Sequence, residues 1–243
     1  MLEGLYTAAA GMAAQQQRMD HLANDVANVN TAGYKHVRTG FRDLMYQQGG
    51  RGAAPTVTAG AGSAAQIVGR SFAQGSLRQT GQPLDVALEG PGFLQVRTED
   101  GQLALTRDGS LHVTNNGQLV NSNGDALAPP VNFPAGTNMQ QVKIAADGTI
   151  TAGNERIGQL VAVDVTAPQA LTSVGDNLFV ANAESGAPRQ VPTTFAGGYL
   201  EGSNVELADA MVDMMDSQRA YELASRAIRQ QDEMMGIANG IRR

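Results

Sequence analysis

The amino-acid sequence predicts an α+β chain, in which N- and C-terminal helices pair as a coiled coil and a central antiparallel β domain consists of short hairpins. Three observations predict this fold class. Apolar residues recur with a seven-residue period at both ends of the chain, which is typical of helices that pack along a narrow seam. In the middle of the chain they alternate with polar residues, as in half-buried strands. Asn-Gly and Asp-Gly pairs, which favour two-residue hairpin turns, separate the alternating segments.

Residues 1–33 predict the N-terminal helix. No proline occurs between Leu2 and Val29, and good helix formers (Ala, Gln and Met) dominate the segment. Gly33 closes the predicted helix, because glycine accepts the left-handed conformation that ends many helices. Steps of three and four residues predict the following seam: Leu2, Leu5, Ala9, Met12, Gln16, Met19, Ala23 and Val26.

This seam supplies the first half of a predicted assembly interface. We expect the four large apolar side chains Leu5, Met12, Met19 and Val26 to form it. Asn24 and Asn28 lie four residues apart on one helix face and are candidates for hydrogen bonds between subunits. Simple solvation explains these two asparagines equally well.

The middle of the chain divides into a linker and a β domain. Residues 34–66 predict an extended, Gly/Ala-rich linker segment, because the stretch 49–63 has almost no large apolar side chain. Residues 67–198 predict the central β domain, in which apolar and polar residues alternate, as they do from Leu84 to Leu88. Five turn pairs occur in under fifty residues: Asp100-Gly101, Asp108-Gly109, Asn116-Gly117, Asn123-Gly124 and Asp147-Gly148.

Residues 199–243 predict the C-terminal helix. Ser203 and Glu206 have the spacing of a capping box at its start. Leu207 begins a second seven-residue pattern, whose intermediate positions are partly polar, so this seam needs a partner. The second half of the predicted assembly interface consists of Met211, Met214, Tyr221, Ile228 and Met235.

Composition and motifs argue against several classes of function. A net charge of −6 argues against nucleic acid as a partner, and the absence of cysteine excludes thiolate chemistry. The three histidines lie far apart without acidic neighbours at metal-ligand spacing. We therefore predict no catalytic, cofactor-binding or metal-binding residues and no cofactor. Because carboxylates are plentiful, a glycosidase pair stays open at this point.

The sequence also predicts no membrane insertion. No run of 18 or more apolar residues is present. The N-terminus has no basic segment followed by an apolar run, so we expect export without a cleavable Sec signal.

Three sequence blocks share their content and order with a known family. The first is LANDVANVNTAGYK (22–35); the second comprises 74–77, 83–88, 90–93 and 106–110; the third comprises GYLEGSNV (198–205) and QRAYE (218–222). Together they resemble the axial proteins of the bacterial flagellum, the rod and hook subunits. The QRAYE block is most similar to the distal-rod subunit.

This resemblance implies a structural subunit of the flagellar basal-body rod, which polymerises helically into a hollow drive shaft for torque transmission and subunit export. The implied partners are further copies of the chain, other rod and hook axial proteins, surrounding ring proteins and the type III export apparatus. The implied location is the basal body, outside the cytoplasm in the cell envelope. Because isolated helices with narrow seams are marginal, we expect both termini to be disordered in the free monomer and to fold on assembly.

Several alternatives to the distal rod stay open. A proximal-rod or hook-type axial subunit belongs to the same class of protein. A secreted wall hydrolase and an adhesin with coiled-coil ends are more remote.

Overall fold

The computed structural model describes residues 2–47 and 58–241. They form two compact units. The first unit comprises the described parts of 1–27, 37–68 and 206–243, and the second comprises 28–36 and 69–205. The predicted fold class is confirmed, because the two terminal helices pack together and the central segment is an antiparallel β structure. The four segment boundaries stated above stay predictions.

Two long helices dominate the first unit. Helix α1 spans Leu2–Ala27 and helix α2 spans Leu207–Ile241. The helices run antiparallel, since the start of α1 lies near the end of α2 and the end of α1 lies near the start of α2. A methyl group on Gly4 would come within 2.9 Å of the Gln231 amide nitrogen, and Arg18 forms a 2.8 Å ion pair with Asp213.

The seam between the helices is shifted by one residue at its intermediate positions. On α2, Ala210 and Ser217 are buried, whereas Gln218, which follows Ser217, is exposed and Met211 is 55 % exposed. From Leu207 the seam on α2 therefore advances by three residues and then by four, instead of by four and then by three. Small side chains occupy these positions because they let two helices approach closely, and a search for large apolar residues passes over them.

A two-stranded ribbon also belongs largely to the first unit. Strand β1 spans Val37–Gln47 and strand β2 spans Thr58–Arg70. Strand β2 includes residues 58–63 of the Gly/Ala-rich stretch. Gly62 (φ 97°) lies where a methyl group would be 3.0 Å from the Ala10 side chain, so this part of β2 packs closely on α1. The linker prediction for residues 48–57 lies outside the described residues.

The second unit is built from sixteen short strands. A nine-stranded sheet is its largest sheet. A three-stranded sheet (β10–β11–β12) forms no strand pairs with it but shares its hydrophobic core, and two strand pairs, β17 with β4 and β18 with β3, complete the unit. All registers among these strands are antiparallel. The strands are β3 (Leu77–Gln79), β4 (Val86–Glu89), β5 (Phe93–Arg97), β6 (Leu103–Thr106), β7 (His112–Val113), β8 (Leu119–Val120), β9 (Ala126–Leu127), β10 (Val142–Ile144), β11 (Thr149–Ala152), β12 (Glu155–Gln159), β13 (Ala162–Asp164), β14 (Thr172–Gly175), β15 (Leu178–Val180), β16 (Arg189–Gln190), β17 (Thr194–Gly197) and β18 (Tyr199–Glu201).

The core of the second unit is mainly aliphatic, as expected from a chain with 5 % aromatic residues and no tryptophan. Side chains such as Val86 and Ile150 are fully buried in its larger cluster. A smaller cluster contains three phenylalanine rings, in which Phe72 meets Phe93 and Phe179 edge-on at centroid distances of 5.2 and 5.1 Å.

Two local sequence predictions differ from the structure. Four of the five turn pairs connect strands with their glycine at positive φ, but Asp108-Gly109 does not, because Asp108 is buried and accepts hydrogen bonds from Ser110 N and Ser122 Oγ. The predicted capping box is wrong as well. Ser203 Oγ accepts a hydrogen bond from Val205 N, and α2 begins four residues after Ser203.

Candidate assembly site

The antiparallel register of the helix pair brings the predicted interface residues of both helices to matching levels. The contacts of Gly4 with Gln231 and of Arg18 with Asp213 fix this register. At 1.5 Å rise per residue, the register sets the following pairs level with one another: Leu5 with Ile228, Met12 with Tyr221 and Met19 with Met214. The two apolar patterns thus form one ladder along the helix pair.

The helix pair covers these side chains only in part. All eight large seam residues are half-buried: Leu5, Met12, Met19, Val26, Met214, Tyr221, Ile228 and Met235. A groove of about 420 Å³ runs between the helices, lined by Gln16, Met19, Asp20, Ala23, Met214, Gln218 and Tyr221. An apolar stripe that one partner covers incompletely has room for further helices.

The remaining three candidate residues lie in different surroundings. Met211 is exposed and points away from the seam with α1. Asn24 is exposed on α1. Asn28 is half-buried just after the end of α1, where its Oδ1 accepts a 3.1 Å hydrogen bond from the Thr31 hydroxyl.

A buried ion cluster in the second unit was not predicted from the sequence. Glu201 is fully buried and lies between two cations: one of its oxygens is 2.5 Å from Lys35 Nζ and the other is 3.1 Å from Arg107 Nη1. Gly75 N also donates to the first oxygen, at 2.9 Å. Lys35 Nζ donates in addition to the carbonyl oxygen of Ala73, at 2.7 Å.

The cluster contains two cations and one anion, and it is almost completely removed from water. Side-chain exposures are 0 % for Lys35, 0 % for Glu201 and 3 % for Arg107. Burial lowers the pKa of Lys35 from its usual 10.5, and the Glu201 carboxylate opposes that shift. Arg107 rests over the Phe93 ring at 5.3 Å and donates to the carbonyl oxygen of Gly90.

The cluster fastens together the two chain segments that lead to the terminal helices. Gly33 N donates to the Glu201 carbonyl oxygen at 2.8 Å, and His36 N donates to Asn204 Oδ1 at 2.8 Å. The Asn204 amide group donates in turn to the Ser71 and Ala73 carbonyl oxygens. The segment after α1 and the segment before α2 are therefore held side by side within the second unit.

The sequence carried one signal that could have revealed the cluster. Each of the three blocks that resemble the axial proteins contributes one of its members, namely Lys35, Arg107 and Glu201. The same blocks contain other charged residues, such as Asp25 and Asp108, and no spacing rule shows that these three meet.

Neither a metal site nor a membrane span is found in the described part of the chain. Among residues 2–47 and 58–241, no three His, Cys, Asp or Glu side chains are grouped so as to hold a metal ion. Within the same residues, both helices are too polar to cross a membrane.

Comparisons with known protein families match all three parts of the chain. The family described as flagella basal body rod protein matches residues 5–35. The D1 domain of flagellar hook proteins FlgE/F/G matches residues 87–152, and the C-terminal region of flagellar basal body rod FlgEFG proteins matches residues 196–241. Paired terminal helices, a central β unit and these three matches define an axial protein of the bacterial flagellum, the class that contains rod and hook subunits.

Similar proteins that match over the full length of the chain identify the family within this class. The chain is 38 % identical to the flagellar basal-body rod protein FlgG of Borreliella burgdorferi, with both chains covered completely. It is 36 % identical to FlgG of Agrobacterium fabrum over 98 % of each chain, and 35 % identical to the hook-basal body complex protein FlhP of Bacillus subtilis over the whole of both. The chain belongs to the FlgG family of flagellar basal-body rod proteins, the structural subunits of the distal rod.

Family membership has direct consequences for function and location. The chain is a structural protein of the flagellar basal body and not an enzyme. Self-assembly and association with other axial flagellar proteins follow from the rod and hook family. The distal rod is thereby favoured over the proximal-rod, hook, hydrolase and adhesin alternatives.

Proposed function

We propose that the chain polymerises helically through its terminal helices into a hollow shaft, which transmits torque and conducts exported subunits. The observation that carries this proposal is the half-burial of the apolar side chains along the helix pair. An apolar stripe that is incompletely covered along two long helices is stabilised further when neighbouring helices cover it.

The proposed subunit interface consists of the residues whose burial is incomplete within one chain. Its members are Leu5, Met12, Met19, Asn24, Val26, Asn28, Met211, Met214, Tyr221, Ile228 and Met235. In the shaft these residues extend the two-helix seam into a continuous coiled-coil layer. Each helix then packs on a helix of a neighbouring copy as well as on the other helix of its own chain.

The proposal includes folding of both helices on assembly. The pair leaves so much apolar surface open that it gains little from forming in isolation, whereas the β unit has its own buried core. Amide hydrogen exchange on a dilute monomer is the measurement. Fast exchange over α1 and α2 beside slow exchange in the β unit is expected, and strong protection of both helices would contradict this part of the proposal.

The proposal also includes the route and neighbours of the subunit. A chain with unfolded ends passes readily through a narrow channel, which supports type III export out of the cytoplasm. Other rod and hook axial proteins lie above and below the polymer, and ring proteins surround its β units. Gold labelling of a tag in the β unit of purified hook–basal bodies tests this location. Label between the membrane-level rings and the hook is expected, and its absence from basal bodies would reject the proposed shaft.

Two charge substitutions test the interface directly. Met12→Asp and Ile228→Asp each place a carboxylate in the apolar ladder, where burial against a neighbour strongly disfavours it. We expect both variants to lose rod assembly and motility while circular dichroism shows a folded β unit. Gln17→Asp, which adds the same charge at an exposed polar position of α1, is the matched control and assembles. Normal motility of either Met12→Asp or Ile228→Asp would show that these residues are not interface residues.

A further inference from the structure

Helix α2 exposes three large apolar side chains that lie outside its seam with α1. Val212 and Leu223 are 52 % and 65 % exposed, and Met234 is 59 % exposed. Successive members are eleven residues apart, which is close to three full turns, so they lie in line along the helix. We name Val212, Leu223 and Met234 the outer ridge. Asp209 and Asp216, both exposed, lie beside its first half and make that half acidic.

A second surface of α2 has the complementary character. A groove of about 420 Å³ lies on a different side of the helix, which we name the arginine groove; its lining residues are Tyr221, Glu222, Ser225, Arg226 and Arg229. Further along the same side the helix has two glycines, Gly236 and Gly240. A methyl group added to either would meet nothing within 4 Å, so the surface there is open.

We propose that the outer ridge of one copy of the chain docks into the arginine groove of the next copy, with the two α2 helices parallel and offset by about 14 residues, roughly 21 Å. This proposal rests on the proposed homopolymer and names its contact. At this offset, Val212 of one copy lies level with Arg226 of the other copy. Leu223 lies level with Ile237, next to the open surface at Gly236, which has room for its side chain.

Charge complementarity selects the same offset. Asp216 beside the ridge comes level with Gln230, one residue from Arg229 of the groove, so its carboxylate lies within reach of that guanidinium group. Asp216 pairs only loosely within its own helix, at 3.8 Å from Arg219 with both side chains mostly exposed. Copies aligned without an offset would instead place acidic segments beside acidic segments, which is unfavourable.

The partner that fills the arginine groove is a second copy of the chain, because the outer ridge and the arginine groove belong to one helix but lie on different sides of it. Such a contact is heterologous: each copy offers its ridge to one neighbour and its groove to another, and repetition produces an open polymer in which all copies point the same way. An offset of 14 residues is also two heptads, so a neighbouring α2 keeps the phase of the seam with α1.

Disulfide crosslinking tests the proposal, since the chain has no native cysteine. The variant Val212→Cys/Ser225→Cys carries its two thiols 13 residues apart, about 20 Å along one helix, so they cannot bridge within one chain. In purified hook–basal bodies after mild oxidation, we expect a ladder of crosslinked multimers that reductant removes. The matched control Val212→Cys/Gly236→Cys places the second thiol on the same side about 16 Å further along, and it forms no ladder.

Other results of the crosslinking experiment would contradict the docking proposal or the proposed shaft. Assembled basal bodies without a ladder, a ladder in the control, or a crosslink to a different axial protein would overturn the docking proposal and leave the rod function intact. Absence of the unsubstituted chain from basal bodies would instead refute the proposed shaft. Should the cysteine variant fail to assemble, charge reversal decides: Asp216→Arg is expected to lose motility, and Asp216→Arg/Arg229→Asp is expected to regain it. Retained motility in the single variant, or none in the double variant, would overturn the docking.

Discussion

The buried ion cluster predicts a large loss of stability when its single anion is neutralised. Glu201→Gln keeps the size of the side chain but removes the negative charge that Lys35 and Arg107 share, at 2.5 and 3.1 Å. Two cations then remain in a site that water hardly reaches. Breaking a buried ion pair by removing one partner costs about 3–5 kcal/mol, because the remaining charge is left uncompensated. That is a substantial fraction of the 5–15 kcal/mol by which a typical domain is stable.

Chemical denaturation followed by circular dichroism measures this loss, since the chain has no tryptophan for fluorescence. A loss of about 3–5 kcal/mol corresponds to a fall in the melting temperature of roughly 6–20 °C in a chain of this size. Glu184→Gln, the same substitution at an exposed position, is the control and changes stability by less than about 0.5 kcal/mol. A loss below about 1 kcal/mol for Glu201→Gln would refute the account of the cluster. A double-mutant cycle with Lys35→Met then separates the pair from its surroundings, because Lys35→Met costs less once the carboxylate is gone.

Three further predictions concern single positions in the two units. A methyl group at Gly109 would lie 1.6 Å from a carbonyl oxygen of β4, so Gly109→Ala is expected to destabilise the chain by at least about 2 kcal/mol in urea denaturation. Gly11 in α1 has open space around it, so Gly11→Ala is expected to stabilise the assembled helix by up to about 1 kcal/mol. Equal effects of the two substitutions would contradict this prediction. Because the pKa of Lys35 is lowered in the folded state, the folded chain loses this proton at a lower pH than the unfolded chain does. The free energy of unfolding of the wild type relative to Lys35→Met therefore rises with pH between that lowered pKa and 10.5. A difference that stays constant across this range would count against burial as the cause. Hydrogen bonds from the main chain and hydroxyl of Thr149 hold the pKa of Asp147 below its usual 3.8, so Thr149→Val raises that pKa in an NMR titration, and an unchanged value would assign the shift to the main-chain bond alone.

Periodicity was enough to predict the architecture of the chain. The seven-residue patterns located both helices, and the turn pairs located four hairpins, because these signals depend on residues that are close together in sequence. The residues that form the seam between the helices were harder to predict from the sequence. Ala210 and Ser217 are shielded in the structure, but Met211 carries the stronger hydrophobic signal in the sequence. Helix approach depends on side-chain size as well as on apolarity, and only the partner helix shows which property matters at a given position.

Long-range polar contacts could not be predicted in this way. Lys35 and Glu201 lie 166 residues apart in the chain, and each alone has the appearance of an ordinary surface charge. Asp108 was interpreted as a turn residue because it precedes a glycine, whereas the structure buries it beside Ser122. In both cases the fold brings together residues for which neither spacing nor composition provides a rule.

The order of the helices along the chain has a consequence for how the subunit is made. The N-terminal helix ends at Ala27 and its partner starts at Leu207, so about 180 residues are synthesised between them. A nascent or truncated chain that lacks the last helix has a complete β unit but no cover for the first helix, and therefore no seam to offer to a neighbour. In the proposed shaft, a chain without its last helix is therefore expected to stay outside the growing structure.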